Sequence, residues 1–157
     1  MTAPGAISVD VCVDAPVAAV WEAVTDWAGQ SEWMLGTRVW ATDRDGVGVG
    51  GGVAAFTGVG RLGFLDTMVI TRWEPPYRCD VRHTGRVVRG TGTFEVFRLP
   101  NGRSRFVWSE ELDLPLGRLG RWGWPVVRPA FALGVQRSLD KLARSLARST
   151  AGQADTG

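Results

Sequence analysis

The sequence predicts an α+β fold: a curved antiparallel sheet of about seven strands wrapped around a long C-terminal helix, with two short helices after the first strand. Three observations carry this. Residues 7–14 alternate strictly between apolar and polar side chains. The middle of the chain is a succession of strand-length segments divided by glycine- and proline-rich breaks. After Pro115 the period becomes that of an amphipathic helix, the only long element available to cover the apolar face of so many strands.

The elements follow in order. Ile7, Val9, Val11 and Val13 share one face of a half-buried strand. Asp14-Ala15-Pro16 then supplies a capping residue and a proline suited to a first helical turn. Val20, Trp21 and Val24 recur at helical spacing within residues 17–26, and a second short helix is expected over 29–35. Six strands are expected at 38–43, 52–57, 62–73, 77–83, 87–99 and 103–114. From residue 126, the residues Val127, Phe131, Val135, Leu139, Leu142 and Leu146 describe one apolar stripe, with Pro125 and Pro129 expected to start or kink the helix. A single domain over 1–148 followed by a flexible tail over 149–157 is the expected organisation.

Composition narrows the function classes. With 157 residues, 45% hydrophobic and 22% charged, the chain is an ordinary globular domain with enough length to bury a core. A net charge of +2 and no recognisable motif argue against nucleic-acid binding. Cys12 and Cys79 are too few for a disulfide framework, and no zinc ligand set accompanies the single histidine, so neither a metal nor another cofactor is expected. The first twenty residues hold no Lys or Arg and do not read as a signal peptide, and no apolar run reaches spanning length; a cytoplasmic protein is the expectation. Monomer and homodimer are both compatible with this composition. Eight tryptophans are enough to wall a cavity as well as fill a core.

Turn chemistry fixes strand register. Pro100-Asn101-Gly102 suits a type I turn closed by a left-handed glycine, which pairs Val96 with Phe106, Phe94 with Trp108, Gly92 with Glu110 and Gly90 with Leu112. A two-residue turn at Thr84-Gly85 would pair His83 with Arg86, Val81 with Val88, Cys79 with Gly90 and Tyr77 with Gly92. It would also align Asp80, Arg89 and Asp113 in a row on the outer face. Both turns agree on the inner face.

That face holds the anomalies. Gly90 and Gly92 stand where core side chains belong, either to let the strand bend or to leave volume for a ligand. Glu110 alternates in phase with Phe106, Trp108 and Leu112, so it points inward, and a buried carboxylate needs a donor; Tyr77 or an arginine is the expected partner. His83, at a strand end, is expected to be partly exposed and structural. The expected ligand-lining set is Met68, Ile70, Tyr77, Cys79, Gly90, Gly92, Phe94, Trp108, Glu110, Leu112 and Phe131, and Glu110, Tyr77 and His83 are the candidates for acid–base chemistry.

Two further patterns carry less. The run Gly46-Val47-Gly48-Val49-Gly50-Gly51 matches a dinucleotide fingerprint but precedes a strand, so no helix N-terminus receives a pyrophosphate. Arg137, Lys141, Arg144 and Arg148 make a basic helix face whose default is solvation; an anionic membrane is the secondary reading, supported by Trp122 and Trp124 beside Arg118 and Arg121.

The opening strand into Val13-Asp14-Ala15-Pro16, followed by Val20-Trp21 and Asp26, resembles the start of START-like proteins of the SRPBCC superfamily. Trp73-Glu74-Pro75-Pro76, the glycine-spaced strand ending in Phe94, and the terminal helix are similar to its polyketide cyclase/dehydrase branch, and the resemblance runs from about residue 7 to residue 148. It implies a helix-grip fold with a hydrophobic cavity between sheet and helix. The implied function is binding of a lipid, polyketide or similar apolar metabolite; a cyclase or aromatase using cavity acid–base residues is the alternative, and a non-catalytic interaction or membrane-associated module a second one. The superfamily shares no catalytic residue set, so the resemblance assigns none.

Overall fold

The computed structural model describes residues 5–113 and 118–154. β1 (Ala6–Val13) leads into α1 (Val17–Thr25) and a 3-10 turn (Gly29–Glu32). Six strands follow: β2 (Thr37–Ala41), β3 (Gly52–Val59), β4 (Leu62–Glu74), β5 (Arg78–His83), β6 (Gly90–Arg98) and β7 (Ser104–Leu112). α2 (Arg118–Ala154) ends the described chain. The strands form one antiparallel sheet in the order β1-β7-β6-β5-β4-β3-β2, so consecutive hairpins run from β2 to β7 and β1 adds to the free side of β7. The expected end of the last strand at Leu114 lies outside the described residues. Pro16 sits at the N-terminal boundary of α1, as expected, but Asp14 does not cap it; its carboxylate takes a hydrogen bond from Arg103 Nε at 2.6 Å instead.

The β6–β7 register is the expected one at every pair, from Gly90 opposite Leu112 to Val96 opposite Phe106. The turn itself differs, because Asn101 (φ 61°) as well as Gly102 (φ 70°) takes the left-handed conformation. The β5–β6 register departs from expectation by four residues: His83 faces Gly90, Val81 faces Gly92, and Cys79 faces Phe94. Residues 84–89 form the loop in place of a two-residue turn, and Asp80 lies opposite Thr93 rather than Arg89. A shift by an even number keeps every side chain on its face, so polar–apolar alternation does not register it. Its consequence falls on Tyr77, which sits in the β4–β5 turn, 48% exposed, with its carbonyl receiving the Val96 N–H. Tyr77 is not on the inner face near Gly92.

The core lies between the inner sheet face and the helices. Val9, Val13, Val96, Phe106 and Ile70 from the sheet meet Val20, Trp21 and Val24 of α1 and Leu139 and Leu142 of α2. α2 rests chiefly on β1, where Gln136 Nε2 donates to the Asp10 carbonyl at 3.0 Å. Its inward stripe is Trp124, Ala132, Val135, Leu139, Leu142 and Leu146. Val127 (55% exposed) and Phe131 (39%) stand outside that stripe, which corrects the expected one at its N-terminal end. The helix also begins earlier than residue 126 and continues past 148, so most of the expected flexible tail is helical; residues 155–157 lie outside the described chain.

Candidate functional site

Alternation along four adjacent strands delivers one set of side chains to the inner face near one end of the sheet. β4 contributes Asp66, Met68 and Ile70; β5 contributes Cys79, Val81 and His83; β6 contributes Gly90, Gly92 and Phe94; β7 contributes Trp108, Glu110 and Leu112. Met68 lies directly opposite His83, and Gly92 lies between Val81 and Glu110. Within this apolar surface three ionisable groups join. His83 Nδ1 is 2.8 Å from Asp66 Oδ2, and His83 Nε2 is 2.9 Å from Glu110 Oε2. Trp108 Nε1 donates to the other Glu110 oxygen at 2.6 Å. Asp66, His83 and Glu110 are each 8% exposed.

The electrostatics follow from this geometry. Burial by itself disfavours the imidazolium, but hydrogen bonds to Asp66 and Glu110, with the charges behind them, outweigh it and raise His83 to about 9. The imidazole is therefore a cation clamped between two carboxylates, with both ring nitrogens donating. This corrects two expectations: His83 is buried rather than partly exposed, and the partners of Glu110 are His83 and Trp108 rather than Tyr77 or an arginine. Asp66 is not among the expected site residues. Its signal is present in the sequence, since it alternates in phase with Met68 and Ile70 on a strand whose apolar set faces inward.

The two glycines serve different ends. Gly90 has φ +122°, and a Cβ there would collide with the Glu111 carbonyl, so it permits close passage of β6 past β7. A Cβ at Gly92 would lie 3.0 Å from both Glu110 carboxylate oxygens and 3.1 Å from Val81 Cγ2. The volume above Gly92 is thus occupied by the Glu110 carboxylate and Val81, not open as the bare sequence suggests; the missing side chain is what lets Glu110 fold toward His83.

Of the other expected lining residues, Ile70 and Cys79 are fully buried and form floor rather than surface. Burial pushes the Cys79 thiol up to about 12, which leaves it inert. Phe94 is half-buried, edge-on to Phe106 and Trp108 at 5.2 and 5.3 Å. Met68, Val81 and Leu112 are also half-buried, so this part of the inner face retains accessible apolar surface beside the charged cluster. Phe131, expected over this face, is on the exposed side of α2; Trp124 is the aromatic residue that α2 packs against the core. Three buried polar atoms have no hydrogen-bond partner among the described residues: Trp33 Nε1, Trp124 Nε1 and Asp66 Oδ1. A separate recess of about 410 Å³, lined by Met34, Arg38, Phe56 and Gly58 among others, lies where β2 begins and β3 ends. The glycine-rich segment leads into β3, the strand expected there. No group of residues able to hold a metal ion occurs among the described residues.

A family model described as polyketide cyclase/dehydrase and lipid transport matches residues 5–147. Among curated proteins nothing matches. Among solved structures, the protein TTHA0849 from Thermus thermophilus superposes with TM-score 0.76 at 14% identity, covering 92% of this chain and 98% of that one. The Zhui aromatase/cyclase from Streptomyces sp. R1128 superposes with TM-score 0.68 at 19% identity, covering 88% and 93%. The di-domain aromatase/cyclase BexL, from the BE-7585A biosynthetic pathway, gives TM-score 0.68 at 17% identity, covering 88% of this chain and 45% of that one. These likenesses establish the helix-grip fold.

Proposed function

This chain belongs to the polyketide cyclase/dehydrase and lipid transport family, and on that premise we propose that it holds a small, largely apolar molecule between the inner sheet face and α2. The observation that carries the reading is the Asp66–His83–Glu110 cluster, buried within a half-open apolar surface made by Met68, Val81, Phe94 and Leu112. A binding site of this kind pairs apolar walls with a few placed polar groups. A fold needing only stability would do as well with apolar residues here, because burying three ionisable groups brings a desolvation penalty that their mutual attraction only offsets. The unpartnered Asp66 Oδ1 suits a ligand that offers a hydroxyl donor on an apolar body.

A second reading, conversion of that molecule by acid–base chemistry, is favoured by the chain of hydrogen bonds from Trp108 through Glu110 and His83 to Asp66. Two carboxylates sharing one imidazolium can hold a proton away from water and release it when a ligand displaces either partner. In this reading Glu110 and His83 act on the ligand, whereas Tyr77 stands too far outside the face to do so.

Native mass spectrometry of freshly purified protein, followed by solvent extraction and identification of the adduct, tests the first reading. A one-to-one apolar adduct is expected. Absence of any adduct, together with failure to take up added fatty acid or polyaromatic probes, would overturn it. Glu110→Gln separates the two readings, since retained uptake with lost conversion supports acid–base chemistry and unchanged behaviour in both assays rejects it.

A further inference from the structure

The antiparallel order places the β3–β4 turn, the β5–β6 loop and the exit from β7 toward α2 at one end of the sheet. That end is apolar and basic in an unusual combination. At the β3–β4 turn Val59 is 85% and Leu62 84% exposed, with Phe64 and Leu65 exposed beside them. In the β5–β6 loop Val87 is exposed, and in the first turns of α2 Trp122 (86%), Val126 and Val127 are exposed. Side chains of this size gain nothing from water, and scattered single exposures do not explain their recurrence on three segments at one end. The charges complete the pattern. Residues 59–65, 84–90 and 111–133 contain Arg61, Arg86, Arg89, Arg118, Arg121 and Arg128 against two acids, Glu111 and Asp113. Arg61, Arg86, Arg89 and Arg128 make no ion pair among the described residues.

From this juxtaposition we infer that the end of the sheet bearing the β3–β4 turn, the β5–β6 loop and the start of α2 docks on the surface of an anionic lipid bilayer. The apolar residues enter the headgroup boundary and the arginines meet lipid phosphates and carboxylates. A second copy of the chain fits less well, because the arginines of this end outnumber the exposed Glu111 and Asp113 at the exit from β7 and two such ends would repel each other. No helix among the described residues is long and apolar enough to cross a membrane, so the contact is peripheral. The inference does not depend on whether the inner face holds a ligand.

Flotation of the full chain with phosphatidylcholine vesicles, with and without phosphatidylglycerol, tests it. The protein is expected to float with the anionic vesicles at low salt and to be released by high salt. Neutralising Arg61, Arg86 and Arg89 to Gln should weaken binding by about fivefold each. Leu62→Asp and Trp122→Asp should abolish flotation without moving the thermal transition, because both side chains are solvent-exposed. Equal flotation with neutral vesicles, or none with either, would overturn the inference. So would self-association that Leu62→Asp abolishes and anionic vesicles do not compete with.

Discussion

His83 owes its charge to two neighbours, so its titration reports the whole cluster. In the unfolded chain the imidazole titrates near 6.5, and in the folded chain at about 9. Below the lower value both states carry the proton, and the stabilisation from the two ion pairs is fully present; it is lost as pH rises through about 9. Denaturant midpoints should therefore fall between about pH 6 and about pH 10, and His83→Gln should remove that part of the slope. Because His83 is the only histidine, its ring can be titrated by NMR without ambiguity. The wild-type midpoint is expected near 9, and Glu110→Gln should lower it by removing one of the two charges. A wild-type value at or below the unperturbed one would mean that the cluster does not form. Gly92→Ala should give the same signature more weakly, since the added methyl group must push the Glu110 carboxylate aside. Glu110 is legible in the sequence as an inward acid, because parity alone places it. Its partners are not. Pairing it with His83 requires the true length of the β5–β6 loop, and the Thr84-Gly85 dipeptide offers a shorter turn that satisfies the same alternation.

The elements behave according to how completely each is over-determined. The β6–β7 hairpin is readable to the residue because its turn residues allow one short loop and its cross-strand pairs agree. α2 is readable as a helix, but its facing residues are readable only where sequence separation from the prolines is large. Leu139 and Leu142 are 0% and 2% exposed, whereas Phe131, nearer the exposed N-terminal half of the helix, is 39% exposed. Leu139→Ala should accordingly cost about 2–5 kcal/mol, and Phe131→Ala about 1 kcal/mol or less. Chemical denaturation of the two variants checks this ordering. Equal losses would place Phe131 against the sheet after all. The cysteines offer a simpler check on β-strand parity: Cys12, exposed on β1, should react with an alkylating reagent in the native protein, while Cys79 should react only after unfolding.

At the scale of the whole molecule, one end of the sheet gathers the ionic cluster, the half-buried apolar surface and the exposed apolar rim. Asp66 lies near the start of β4, His83 ends β5 and Glu110 is near the end of β7, so the cluster stands at the same end as the β3–β4 turn and the start of α2. That alignment gives the proposed ligand a short route from a lipid phase to the inner face. An apolar molecule is proposed to occupy this face beside His83, and the chain carries a reporter for it. Met68 lies opposite His83 on the inner face, while Met34 lies at the separate recess near β2. With methyl-labelled methionine, addition of an oxygenated apolar probe such as 2-naphthol should shift the Met68 signal saturably at one-to-one stoichiometry and leave Met34 in place. A Met68 signal that stays fixed at saturating probe, whether or not Met34 moves, would rule out binding at this face.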